Sequence, residues 1–105
     1  MIIYGLKNCD VVRNARKALP EATMHDVRDA PLNRETLERF LAAFPDTLVN
    51  KRSTTWRKLS DSERGGDRIA LLQAHPALMK RPLIAAGDSL YLGWTPETEA
   101  ALTAG

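Results

Sequence analysis

Apolar positions along this chain change their spacing several times, and each change marks a new element. Met1, Ile2, Ile3 and Tyr4 form a short β-prone run ended by Gly5, the pattern of a buried strand. From Asp10 the spacing lengthens. Val11, Val12, Ala15, Ala18 and Leu19 recur three and four residues apart, with Arg13, Arg16 and Lys17 on the other side, which predicts an amphipathic helix over 10–19. Pro20 stops it, and TMHDVR at 23–28 alternates as a second strand. Strand, helix and strand within about thirty residues predict a right-handed crossover, which lays the two strands parallel in one sheet.

Pro31 and Asn33 punctuate the chain before RETLERFLAAF at 34–44. Leu37, Phe40, Leu41 and Phe44 there define a second amphipathic helix, with Asn33 as its N-cap. Pro45 closes it. The Gly65-Gly66 break precedes a further helical run, DRIALLQAH at 67–75, closed in turn by Pro76. The middle third is therefore expected to be helical or irregular. RPLIAAGDSLYLGW restores β character: 83–86 and 90–92 flank Gly87-Asp88, which reads as a hairpin turn. Thr95 and Pro96 follow as N-cap and first helical residue of a last helix through ETEAALTA. With no internal repeat, low-complexity tract or linker, residues 1–105 read as one α/β domain.

Composition narrows the field. Of the 105 residues, 44% are hydrophobic and 27% charged, a balance that supports a folded core rather than disorder. A net charge of +2 is too small for a general nucleic-acid footprint, so the placement of the charges matters more than their sum. The first apolar run is too short for a signal peptide, and no stretch approaches the roughly 20 apolar residues of a membrane span. One cysteine cannot form an internal disulfide, and with two histidines and no second thiol a metal site is not expected. These features predict a soluble cytoplasmic monomer, in a reducing compartment, with neither nucleic acid nor membrane as partner.

The one thiol, Cys9, lies in YGLKNCDVV, directly after the first strand and at the predicted N-cap of the first helix. Unpaired backbone amides and the helix dipole favour negative charge at such a place. A thiolate is such a charge, and only the thiolate attacks disulfides or other electrophiles. Lys7 adds to the effect and Asp10 opposes it. With Asn8, these polar neighbours keep the position near water, whereas a cysteine held for packing could sit at any apolar site. Val12 stands three residues on, so the internal exchange of a C-x-x-C pair is impossible and a resolving thiol must come from outside. In a reducing cytosol the abundant small thiol is glutathione, whose carboxylates need cationic or backbone partners.

Two basic segments offer such partners. NKRSTTWRK at 50–58 holds Lys51, Arg52, Arg57 and Lys58 without an acid. Ser53, Thr54 and Thr55 add hydroxyl donors, and Trp56 can stack beside a ligand or simply anchor a solvated loop. The second segment, Lys80-Arg81, precedes Pro82 at the start of the third strand. A strand end beside the first helix of an α/β sheet is a customary ligand position. Spacing alone does not choose between the cis and trans isomers of Pro82. No lysine or arginine follows Arg81, so any anion pocket is built from the first 81 residues. His25 and His75 read as structural.

Taken together, YGLKNCD, NKRSTTWRKL, LLQAHPALMKRPLI and LGW resemble the arsenate reductase (ArsC) family over essentially the whole chain, and within it the small YffB-type branch. The resemblance implies a thioredoxin-like fold: a mixed four-stranded sheet flanked by helices, with a helical insertion between strands 2 and 3. It also implies that Pro82 is a cis-proline facing the active-site thiol, Cys9. Arsenate-reducing members use a cysteine, a histidine slightly upstream and three arginines. Cys9 and Arg81 match. Gly5 occupies the histidine's place, Asn50, Lys51 or Arg52 falls at the first arginine's, and the third, around Gly93 and Trp94, has no counterpart. An oxyanion held by three guanidinium groups is therefore hard to build here.

The function expected from residues and resemblance together is a glutathione-dependent thiol reductase, with Cys9 as nucleophile and glutathione as co-substrate. Lys7, Asn8, Lys51, Arg52, Arg81 and Pro82 are the candidate binding residues for glutathione and an oxidised thiol substrate. Two alternatives stand beside it: an arsenate reductase linked to glutathione and glutaredoxin, and a non-enzymatic regulator resembling Spx that binds RNA polymerase. Spx-like members commonly carry the C-x-x-C pair that this chain lacks.

Overall fold

The computed structural model describes residues 1–103. In chain order the elements are β1 (Ile2–Gly5), α1 (Asp10–Ala18), β2 (Thr23–Asp26), α2 (Arg34–Ala43), α3 (Thr54–Lys58), α4 (Asp61–Arg64), α5 (Arg68–Ala74), a 3-10 turn (Pro76–Leu78), β3 (Leu83–Ala86), β4 (Ser89–Leu92) and α6 (Pro96–Thr103). The four strands form one mixed sheet of order β2-β1-β3-β4, and the helices α2 to α5 are inserted between β2 and β3. Two compact units result: Met1–Ala30 with the chain from Arg81 onward, and Pro31–Lys80.

The first unit holds the sheet. β1 pairs in parallel with β2, from Ile2 opposite Thr23 to Gly5 opposite Asp26, as the crossover pattern predicts. It pairs antiparallel with β3, which continues through the Gly87 turn into β4. Gly87 has φ 59°, a left-handed value that a residue without Cβ adopts freely. α1 lays Val12 and Ala15 onto Ile3, Leu19 and Ile84 to make a core, with Cys9, Met24, Tyr91, Trp94 and Leu102 at its edge. Val11, assigned by its spacing to the apolar face, is 42% exposed instead. At about 100° per residue it falls off the Val12–Ala15 stripe, toward solvent beside Cys9.

β2 ends at Asp26, two residues short of the segment its alternation suggests, because the Asp26 carboxylate turns the chain. One of its oxygens accepts the amides of Arg28 at 2.8 Å and Asp29 at 3.1 Å. Thr95 caps α6 as expected, its hydroxyl accepting the Thr98 amide at 3.1 Å. Ala104, the last residue of the predicted helix, lies outside the described residues.

In the second unit Asn33 caps α2 by accepting the Thr36 amide at 2.8 Å, and the helix buries Leu37 and Phe40. α5 buries Ile69, Leu71 and Leu72. Between them in the chain α3 and α4 are capped by Ser53 and Ser60, the latter in a capping box with Glu63. A short antiparallel contact ties 48–50 to 78–80: Asn50 donates to the Leu78 carbonyl and Lys80 to that of Leu48, both at 2.8 Å. Among the described residues, no helix is long and apolar enough to cross a membrane.

Candidate active site

Cys9 occupies the N-cap of α1 with extended backbone, φ −85° and ψ 126°. Its amide donates to the Leu6 carbonyl at 3.1 Å and its carbonyl accepts the Arg13 amide at 2.9 Å, so the residue is fixed from both sides. The side chain is partly buried at the rim of the sheet core. The sulfur makes no formal cap hydrogen bond. The amides of Val12 and Val11 nevertheless lie close enough to favour its ionised form, as does the side chain of Arg81. Burial is the largest single influence and pushes the thiol up. The Val12 amide, the Arg81 hydrogen bond, the Val11 amide and the Arg81 charge together outweigh it, so the thiol is held below its ordinary value.

Arg81 arrives from the segment that leads into β3. The Arg81–Pro82 peptide is cis, as the family resemblance implies. Pro82 is fully buried, and its carbonyl accepts the amide of Gly93 at 2.8 Å. Gly93 itself has φ 87°.

Other candidates are placed differently. Lys7 has a carboxylate partner of its own: its Nζ pairs with Asp29 at 2.7 Å, and that partner raises its pKa above the ordinary lysine value, first through the hydrogen bond and then through charge. The support for the thiolate expected from Lys7 therefore falls to Arg81. Asp10, expected to oppose it, pairs with Arg13 at 3.3 Å. Asn8 is exposed beside Cys9.

Lys51 and Arg52 belong to the second unit, where with Lys80, Asp46 and Asn50 they line a hollow of about 430 Å³. Asn50 shapes it, accepting the Arg52 amide at 3.1 Å through its side chain. Ser53, expected as a ligand donor, is occupied: its hydroxyl donates to the Asn50 carbonyl at 2.7 Å and accepts the Trp56 amide at 3.1 Å. Trp56 is half-buried, with Lys51 Nζ 5.8 Å and the Arg64 guanidinium 5.6 Å from its ring centroids. Arg64 meanwhile donates to the Trp56 and Arg57 carbonyls at the end of α3. Both histidines are structural. His25 donates through Nε2 to the Ala30 carbonyl at 2.7 Å, and His75 joins α5 to the 3-10 turn through its backbone.

Sequence reasoning passed over Asp26. Its second carboxylate oxygen accepts the Lys7 amide at 2.9 Å, inside the turn that carries Cys9. The available signal was positional: in a parallel pairing that starts at Ile2 and Thr23, Asp26 stands opposite Gly5, the last strand residue before that turn.

The ArsC family model matches residues 4–102. An uncharacterised protein of Haemophilus influenzae is 37% identical over 101 residues, spanning 88% of this chain and 89% of the relative. Among solved structures, a YffB protein superposes with a TM-score of 0.86 at 32% identity, covering 95% of this chain and 96% of that one. An arsenate reductase (ArsC) related protein from Brucella melitensis superposes with a TM-score of 0.73 at 37% identity, covering 95% and 91%.

Proposed function

The chain belongs to the ArsC family, with its thioredoxin-like fold and thiol-based reductase chemistry, and from that membership we propose a glutathione-dependent reductase of mixed disulfides. The observation that carries the proposal is the Cys9 sulfur at the start of α1, with the Arg81 side chain beside it and its pKa lowered despite partial burial. Holding the thiol below its ordinary value raises the share present as thiolate, the attacking form, and makes it a better leaving group, and turnover needs both properties.

In the first step Cys9 attacks the glutathione sulfur of a substrate R–S–S–G. A Cys9–glutathione disulfide forms, the substrate S–S bond breaks, and the electron pair leaves with RS⁻, which takes a proton from water. A second glutathione, as its thiolate, attacks the glutathione sulfur held on Cys9. Oxidised glutathione leaves and the Cys9 thiolate is restored. Overall R–S–S–G and one glutathione give R–SH and oxidised glutathione: the disulfide, and with it the oxidation, passes from the substrate to the glutathione pair. Arg81 stabilises Cys9 as attacking group in the first step and as leaving group in the second.

Arsenate fits this chain less well. The place of the third family arginine falls at Gly93 and Trp94, and the left-handed backbone of Gly93 is strained for any side-chain-bearing residue. The test is Cys9→Ser, assayed with a glutathionylated peptide, glutathione and a coupled readout of oxidised glutathione. The variant is expected to fold and to lose turnover. A Cys9→Ser protein that still released the peptide thiol would overturn the proposal.

A further inference from the structure

We infer that Asp26 is a positioning residue for the Cys9 nucleophile, its carboxylate holding the turn that carries the sulfur by the backbone amide of Lys7. The consequence for catalysis rests on the reductase function proposed above. The effect on the thiol itself does not, and can be read without any substrate.

The hydrogen bonds define the arrangement. β1 and β2 run parallel until Gly5 lies opposite Asp26, and the Val27 amide then donates to the Gly5 carbonyl at 2.9 Å. Beyond that bond the chains separate, β1 toward Cys9 and β2 into its turn. The Asp26 side chain bridges the gap. One oxygen takes the Lys7 amide at 2.9 Å, and the other takes Arg28 and Asp29 at 2.8 and 3.1 Å. A single half-buried carboxylate thus gathers three backbone amides from both sides of the split. Burial pushes its pKa up, but the amides of Lys7, Asp29 and Arg28 and the nearby Lys7 charge outweigh this and hold it below the ordinary aspartate value.

Inside the turn the Cys9 amide closes back on the Leu6 carbonyl at 3.1 Å. Lys7 lies between those two residues, so anchoring its amide fixes the frame from which the Cys9 side chain projects. The field of a helix terminus falls away within the first turn. A small shift of the sulfur away from the Val11 and Val12 amides therefore costs much of their effect.

Asp26→Asn separates positioning from general support. Asparagine keeps one acceptor for the Arg28–Asp29 turn, for which it is well suited. It puts an NH₂ group, which cannot accept, where the Lys7 amide donates. Lys7→Ala is the control, since it removes the Lys7–Asp29 pair and leaves the Lys7 amide in place.

The measurement is the pH profile of Cys9 alkylation by iodoacetamide, run with thermal unfolding of each variant. Asp26→Asn is expected to move the midpoint up by about half to one unit and to slow alkylation at pH values below the parent midpoint by roughly three- to tenfold, while Lys7→Ala leaves the profile unchanged. A folded Asp26→Asn protein with the parent profile overturns the inference. Should that variant not fold, the parent protein serves: its Lys7 amide resonance is expected to follow the acid titration of the Asp26 carboxyl, and a resonance that ignores it overturns the inference. If Asp26→Asn shifts alkylation but Cys9→Ser retains turnover, the positioning role stands and the reductase function falls.

Discussion

The Arg81 side chain, at the entry to β3, acts on the Cys9 thiol at the start of α1, favouring its ionised form both as a hydrogen-bonding group and as a charge. Arg81→Ala removes both, leaving burial opposed only by the amides of Val12 and Val11. The alkylation midpoint of Cys9 is expected to rise, and the rate at any pH below it to fall in step, roughly tenfold for each unit of rise. Arg81→Lys keeps the charge without the planar fork and is expected to fall between the two. A midpoint that did not move in Arg81→Ala would mean that the helix terminus alone holds the thiol down.

The depressed pKa of Cys9 also ties folding to pH. The folded state holds the thiolate more readily than the unfolded chain, so the stabilisation is fully present above the unfolded thiol value of about 8.5 and is lost as pH falls through the lower folded value. Urea unfolding of the parent and of Cys9→Ser is therefore expected to diverge as pH rises from neutrality, the parent gaining. Parallel stability curves across that window would contradict the lowered thiol pKa.

Much of this was legible in the residue pattern, and the misses have physical causes. The spacing of Val12, Ala15 and Leu19, the Asn33 and Thr95 caps and the Gly87 turn all belong to single elements, and local sequence reports local structure. α3 and α4, of five and four residues, are too short to show a period and rest on their serine caps. For Lys7, sequence shows that a lysine stands near Cys9 but not which acid it meets. That acid, Asp29, comes from the turn after β2. Arg81 was identified from its place at a strand end, whereas Asp26 drew no attention as one aspartate among several.

Lys51 and Arg52 call for a different experiment from Arg81. They line the Asp46–Lys80 hollow of the second unit. If they receive glutathione carboxylates, Lys51→Ala and Arg52→Ala are each expected to raise KM for glutathione about threefold to fivefold, the worth of roughly 1 kcal/mol for an exposed charge pair. The pH profile of Cys9 alkylation should stay in place. Unchanged KM values in both variants would remove this hollow from the glutathione site.

Gly5 and Val12 set how closely the sheet and the first helix approach, and hence where the N-cap lies. A Cβ built on Gly5 would stand 2.7 Å from Cγ2 of Val12, a fully buried and branched side chain that cannot swing aside. Gly5→Ala is therefore expected to destabilise the protein by about 1–3 kcal/mol, the usual cost of forcing extra volume into a packed core. Gly5→His, with a larger side chain at the same place, should cost more than Gly5→Ala. Val12→Ala alone leaves a cavity, but in the Gly5→Ala background it relieves the clash, so the double variant should be more stable than the sum of the single losses allows. Denaturant unfolding of the four proteins measures that coupling. Strictly additive losses would show that the strand and helix separate to admit the methyl group, in which case the Cys9 alkylation midpoint should move in Gly5→Ala as well.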